Sequence, residues 1–526
     1  MNRTRSMPLR AAGIALLLVT GTLAAQDAGA RGAFLMRLGT DTIVIERFEH
    51  SADTLQGSIS VKGQPRQDYV AVLGPEFSIT SLSLNVFQNG PADAAPVQRI
   101  RITIRGDSVF ADVNGAAQRF ATERGAVPLL NNSFALAELF TRRARMTRDS
   151  ADVAAWALAG ATPLVVKIRA AGRDSMTLTI AGVAERLRVN ATGQILGGVI
   201  PSQRIELSRV GQAIAATLRL GKVDYSAPSG APYAATEVML TGPGGIQLGG
   251  TLTLPLGSTG RRPAVVTITG SGQQDRDEYI PVAGGYRPFR QVADTLGRRG
   301  IAVLRLDDRT VGSSGGKLGT SADYADDIRA AVAYLRTRPD IDGDRIALLG
   351  HSEGGMIAPM VAATDPRLKG IVLMAGPGST GSDIIHYQQR NAIERDTTVP
   401  ARARDSLLRV AAVSLDSIAR TSAWLQFFLH YDPLPTARRV KVPVLILQGA
   451  TDHQVTPEQA ESLAAAFRAG GNGDVTVRLF AGLNHLFVPD PSGQPAGYAT
   501  LKSSRVSAEV LGTLADWLAA RLGVTK

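Results

Sequence analysis

The chain has 526 residues, 44% of them hydrophobic and 20% charged, with a formal net charge of +11 and no cysteine. That length exceeds one ordinary core and suits two domains with a tail, in a composition that excludes a disordered chain. The lack of cysteine excludes disulfides, thiol catalysis, thiolate metal sites and a lipoprotein anchor, and positive charge spread over scattered arginines reads as a solvated surface, with no motif for nucleic acid.

Arg3, Arg5 and Arg10 precede an apolar run from Ala11 to Ala25. Such a run is short for a bilayer span and fits the apolar region of a signal peptide, with Ala24-Ala25 or Ala28-Gly29-Ala30 as cleavage sites. Residues 1–25 are therefore read as a signal peptide, with an uncleaved anchor as the alternative. No later segment reaches spanning length without charges, so a mature protein without a transmembrane segment is expected, exported to the periplasm or secreted.

From residue 31 to 225 the periodicity is two. SLSLNV (81–86), RIRITIR (99–105) and SMTLTI (175–180) alternate, and Gly106-Asp107 and Gly172-Arg173-Asp174 supply turns between such runs. This predicts a separate antiparallel β-rich domain with one helical interruption near Phe134 to Met146. Its only histidine, His50, has no partner motif, and no role for the domain follows. SAPSGAP (226–232) is a Pro/Gly/Ser linker, which sets the boundary at 226–236.

Residues 237–526 change pattern. The short β-branched runs AVVTIT (264–269), IAVLRL (301–306), IALLG (346–350), GIVLMA (370–375), VPVLILQG (442–449) and VTVRLF (475–480) alternate with helix-length amphipathic segments near 287–299, 321–337, 352–363, 457–469 and 505–521. Near-continuous apolar strands with helical crossovers predict an α/β domain, a mostly parallel sheet flanked by helices on both faces. Residues 376–440 interrupt the alternation with a helical insertion. No internal repeat is present.

The chemistry centres on LLGHSEGGMIAP (348–359). A serine between glycines, with a strand before and a helix after, is the pattern of a turn that lifts a nucleophile clear of its own backbone. The helix N-terminus adds free N–H groups beside Ser352. A serine hydroxyl needs a base, and the base an orienting carboxylate. After the nucleophile the carboxylate and then the histidine are expected, each behind a later strand. ATDHQVTP supplies Asp452 behind VPVLILQG, and AGLNHLF supplies His485 behind VTVRLF. His453 adjoins Asp452 and is badly placed to point back at it. His351 is read as structural, its ring packed under the turn, and His386 and His430 lie in the insertion. An oxyanion hole is expected from the backbone N–H of Glu353 and, in the loop Gly270-Ser271-Gly272-Gln273, that of Ser271, with Gly272 next. GSGQQD (270–275) begins like a dinucleotide fingerprint, but Asp275 occupies its sixth position and no acidic ribose ligand follows.

At these residues the chain resembles the α/β-hydrolase superfamily, and within it the bacterial EstD-type carboxylesterases, exported proteins with an N-terminal β domain. The resemblance rests on GSGQQDRDE (270–278), LRLDDRTVGSSGG (304–316), GHSEGGMIAP (350–359), MAGPG (374–378), Asp452 and His485, and covers roughly 290 residues. It implies Ser352 as nucleophile, Asp452 as orienter, His485 as base, and a lid at 376–440. The usual D-x-R-G-x-G-x-S loop appears as Asp307, Arg309, Gly312 and Ser314, with Thr310 in place of a glycine. Thr269 stands where a His-Gly oxyanion motif would have its histidine. Asp275, Arg276 and Asp277 read as an ion-pair network near the site mouth or as a surface charge cluster. Trp424, Phe427, Phe428 and Tyr431 share one helical face, as lining of an acyl pocket or as the face that seats the lid.

The expectation is an α/β-hydrolase-fold serine esterase acting on a small-molecule ester, with no cofactor, metal or nucleic-acid partner implied; there is no H-E-x-x-H and no P-loop. The alternatives are a serine peptidase of the aminopeptidase or prolyl oligopeptidase type, a thioesterase or lactonase, and a non-catalytic binding protein on a hydrolase scaffold. Against the prolyl oligopeptidase type, an N-terminal region of about 195 residues is short for a seven-bladed propeller. Oligomeric state does not follow from the sequence.

Overall fold

The computed structural model describes residues 30–524 apart from 88–94, 159–161, 181–182, 258–259, 281–282, 396–400 and 421; the signal-peptide reading of residues 1–25 lies outside the described residues.

The alternating segments between Arg31 and Gly211 pair into a sheet of fifteen described strands. Along Ile79–Phe87, Leu82 and Leu84 point inward while the intervening serines are partly exposed, as a period of two requires. The first strand, Arg31–Leu38, lies at mid-sheet between Asp41–His50 and the last strand, Ile205–Gly211. Two antiparallel meanders therefore run outward from a shared seam, one ending at Ala116–Ala121 and the other at Ser150–Ala157, beside which Val127–Leu129 pairs in parallel. The predicted helix, α1 (Phe134–Met146), packs against strands of both halves and is buried over most of its length. Its N-terminus is held by a buried carboxylate. Glu46 accepts from the Tyr69 hydroxyl (2.7 Å), the Ser133 hydroxyl (2.5 Å) and the Phe134 and Ala135 amides (2.6 and 3.0 Å). Its oxygens satisfy orphan N–H groups at the helix start, and a second, short helix, α2 (Gln212–Thr217), follows the last strand.

The second sheet begins with a hairpin that the periodicity does not reveal, β1 (Tyr233–Thr241) and β2 (Gln247–Pro255). It continues through β3 (Arg262–Ile268), β4 (Ala302–Leu306), β5 (Ile341–His351), β6 (Ile371–Met374), β7 (Val444–Gly449) and β8 (Val475–Phe480) in the order β1-β2-β4-β3-β5-β6-β7-β8. β3 to β8 pair in parallel, and β2 alone runs antiparallel to its neighbours, β1 and β4. Alternate residues of each central strand serve two cores: Ile346 and Leu348 face one, Ala347 and Leu349 the other. The first core is covered by α4 (Ser321–Thr337), α5 (Glu353–Ala362) and α10 (Pro457–Ala469), the second by α3 (Pro288–Gly297) and α11 (Ala508–Arg521). Between β6 and β7 the chain forms α6 (Gly381–Arg395), α7 (Ala401–Ala419), α8 (Ala423–His430) and the short α9 (Leu434–Ala437). The sheet is mostly parallel with helices on both faces, and the C-termini of its parallel strands lie along one rim.

Candidate active site

Ser352 sits where β5 ends and α5 begins, with φ 52° and ψ −120°. A non-glycine residue held there costs roughly 1–3 kcal/mol, so the surrounding structure must enforce it. The glycines make that enforcement possible. A Cβ on Gly350 would lie 2.0 Å from the Gly354 carbonyl oxygen, and one on Gly354 would lie 2.1 Å from the Ile268 carbonyl oxygen. The turn is pinned from outside as well, the Ser352 amide donating to the Met374 carbonyl at 2.9 Å.

Asp452 and His485 follow β7 and β8 and meet: His485 Nδ1 lies 2.8 Å from Asp452 Oδ2. Asp452 is buried and also accepts from the Gln454 and Val455 amides and from Gln448 Nε2. A carboxylate so surrounded by donors accepts a hydrogen bond from the Nδ1–H of the ring, leaving Nε2 as the basic nitrogen. His485 and Ser352 line the same cavity, of about 400 Å³.

Beneath them lies a second pair that the sequence did not reveal. His351 Nδ1 is 2.6 Å from Glu278 Oε1, and His351 Nε2 is 3.0 Å from the backbone oxygen of His485. Both residues are buried, and the two imidazole rings lie 4.9 Å apart. A carbonyl oxygen only accepts, so His351 Nε2 carries a proton and a second proton is shared with Glu278. Burial pushes the His351 pKa down, but the Glu278 carboxylate and the two hydrogen bonds outweigh it, and the net direction is up. His351 is thus structural, as expected, and its partner is an acidic residue at φ 54°. The only signal for Glu278 was its place at the end of the acidic-basic run.

The loop carrying Ser271 is stapled at both ends by one carboxylate. Asp308 accepts from Thr269 Oγ1 at 2.7 Å and from the Gln274 amide at 2.9 Å. Gln273 reaches the Thr310 hydroxyl. Thr310 adopts φ 72°, the left-handed backbone of the glycine it replaces, so the loop keeps its shape with a β-branched residue. Burial holds the Asp308 carboxyl well above the usual range. Gly270 and Ser271 border the cavity beside Ser352. Glu353 opens α5, next to the serine, and its side chain accepts from Ser321 Oγ (2.6 Å) and Trp424 Nε1 (2.9 Å) and bonds Ser271. Burial raises its pKa.

The run Asp275-Arg276-Asp277 is no surface cluster; all three are buried. Arg276 grips Asp307 through two nitrogens (3.0 and 2.7 Å) and donates to the Gly250 carbonyl and Thr251 Oγ1, both at 2.8 Å. Its guanidinium lies 4.2 Å over the Tyr225 ring, and Tyr225 in turn donates to Asp275 Oδ2 at 3.0 Å. Asp277 pairs with Arg305. The aromatic face divides. Trp424 and Phe428 border the cavity, while Phe427 and Tyr431 stack on each other at 5.2 Å against the core. His453 bonds the Tyr387 hydroxyl, and His386 and His430 bond atoms of their own helices.

Residues 283–492 match the family model described as serine aminopeptidase, S33. The chain is similar to Esterase EstD of Thermotoga maritima, 29% identical over 278 residues, or 52% of this chain and 65% of that esterase. It is similar to Dipeptidyl aminopeptidase BIII of Pseudoxanthomonas mexicana, 30% identical over 233 residues, or 43% of this chain and 30% of that peptidase. Among solved structures, an esterase of Pyrococcus furiosus superposes with a TM-score of 0.41 at 18% identity, covering 57% of this chain and 96% of its own. The chain thus spans just under two thirds of the esterase it matches and less than a third of the peptidase.

Proposed function

We propose that this protein is an exported serine hydrolase that cleaves carboxylic esters through Ser352, His485 and Asp452. The observation that carries the reading is the 2.8 Å hydrogen bond between His485 and Asp452, in a cavity shared with a serine held on a left-handed turn. Ser352 Oγ attacks the ester carbonyl as His485 Nε2 takes its proton, and the Ser271 and Glu353 N–H groups hold the oxyanion. The imidazolium, kept in place by Asp452, gives the proton to the alcohol oxygen as its C–O bond breaks. Water activated by the same imidazole then releases the acid from Ser352. On this reading residues 237–526 are the catalytic domain, 31–225 a separate β-rich domain, and the helices within 376–440 a lid over the cavity. Ser352→Ala is expected to lower turnover of p-nitrophenyl butanoate by at least about a thousandfold with an unchanged circular dichroism spectrum; retained turnover refutes the assignment.

A peptidase reading is supported by the description of the matching family and by the Glu278 carboxylate on the cavity wall, where a substrate amino group would need an acid. Rates on aminoacyl-nitroanilides and nitrophenyl esters separate the two, with the ester faster on the reading preferred here.

A further inference from the structure

The cavity lining includes an apolar group and a hydrogen-bonding group of side chains, each tied to a different part of the chemistry. The apolar group is Ile384 and Ile385 of α6, and Trp424 and Phe428 of α8, whose rings stack at 5.5 Å. Trp424 donates its indole N–H to the Glu353 carboxylate, so this group hangs on the residue that follows the nucleophile. The other part of the lining holds Gln388, one turn along α6 from Ile384, with Gln454 and Tyr498 beside the apolar Val455, Leu486 and Pro495. The Gln454 amide donates to Asp452 Oδ1 at 2.8 Å and its Nε2 to the Tyr498 hydroxyl at 2.9 Å, while Gln388 Nε2 donates to the Gln454 carbonyl at 3.0 Å. This group hangs on the acid and base. Among the described residues no hydrogen bond uses the Gln388 or Gln454 side-chain oxygens or the Tyr498 proton, which leaves two acceptors and a donor for a ligand.

Acyl transfer assigns the two halves of an ester to these groups. The alcohol oxygen departs toward the imidazole that protonates it, so the alcohol half lies on the His485 side. The acyl half stays on the serine, beside the oxyanion donors and the group attached to Glu353. We infer that the substrates are esters of an apolar acid with a neutral alcohol that carries further hydroxyl groups. The inference rests on the ester reading above. Charge points the same way. No lysine or arginine lines the cavity among the described residues, and Glu278 does. An anionic acid or alcohol half would lose its hydration there and find no cation to pair with, since His351 is already paired with Glu278.

The test compares kcat/KM for 1-monobutanoylglycerol, ethyl butanoate and monoethyl succinate, each divided by the ester's own alkaline hydrolysis rate. The glycerol ester is expected to exceed ethyl butanoate by about tenfold or more, the effect of a hydrogen bond or two. The succinate half-ester is expected to fall below ethyl butanoate by a similar factor. In Gln454→Leu the glycerol preference should shrink to about threefold or less, with Ser352 still labelled by a fluorophosphonate. Equal rates for the two butanoates, a preference for the succinate, or a glycerol preference that survives in Gln454→Leu would each overturn the inference while leaving the ester reading intact. Folded protein that turns over none of these, nor p-nitrophenyl butanoate, overturns both.

Discussion

His351 shows how much one buried side chain does for its neighbours. Its Nε2 proton holds the His485 backbone oxygen and its Nδ1 meets Glu278, so the ring fixes the segment that carries the proposed base. Glu278→Gln removes the charge that lets His351 hold protons on both nitrogens, and one of the two hydrogen bonds must weaken. The expected result is a fall in kcat of about tenfold with KM little changed, the pattern of lost positioning rather than lost binding. Steady-state kinetics beside fluorophosphonate labelling reads this, and a change confined to KM would count against it. The serine, aspartate and histidine could be picked out in the sequence because each follows an apolar strand in a fixed order. Glu278 could not, since its partner lies 73 residues away and only the packed turn brings them together.

Among the elements, the helix α1 and its carboxylate cap offer the sharpest test. Burial raises the Glu46 pKa to about 7, against four donors that pull it down. The folded protein therefore keeps this proton to higher pH than the unfolded chain. The associated stability is full below the ordinary glutamate range and is lost as pH rises through about 7, a loss on the order of 3–4 kcal/mol. Native-state hydrogen exchange of the Asp41–His50 strand should show its opening free energy falling between pH 5 and 8, and Glu46→Gln should flatten that dependence. A slope unchanged in the variant would rule Glu46 out as its source. Helix and strand positions were largely legible, because alternation and helical spacing are local patterns: α4, α10 and β8 coincide with the segments expected at 321–337, 457–469 and 475–480. The β1–β2 hairpin was not. β2 carries Gly249 and Gly250, where a Cβ would meet Ser313 at 2.4 Å and the Arg305 carbonyl at 2.5 Å. Close packing demands those glycines, and they erase the strand signature.

Across the whole molecule, the Arg276 cluster joins distant segments. Tyr225 from the stretch between the two sheets, Gly250 and Thr251 of β2, and Asp307 behind β4 all meet one guanidinium. Arg276→Met leaves Asp307 buried without its counter-charge and is expected to cost about 3–5 kcal/mol. Calorimetry should show a lowered melting temperature for the part containing the second sheet. An unchanged melting temperature would mean that the cluster contributes little to holding these segments together.

The sequence by itself determined most strands and helices in their order, the strand-to-helix turn at Ser352, and Asp452 and His485 as strand-end candidates, because period, glycine sterics and strand ends are properties of short windows. Only the tertiary structure decided that α1 is enclosed by two meanders, that Asp275, Arg276 and Asp277 are interior, that Glu278 seats His351, and that the aromatic face splits between cavity and core. Those outcomes depend on which distant groups share a desolvated space, and there a buried charge must find a partner that no local pattern can name.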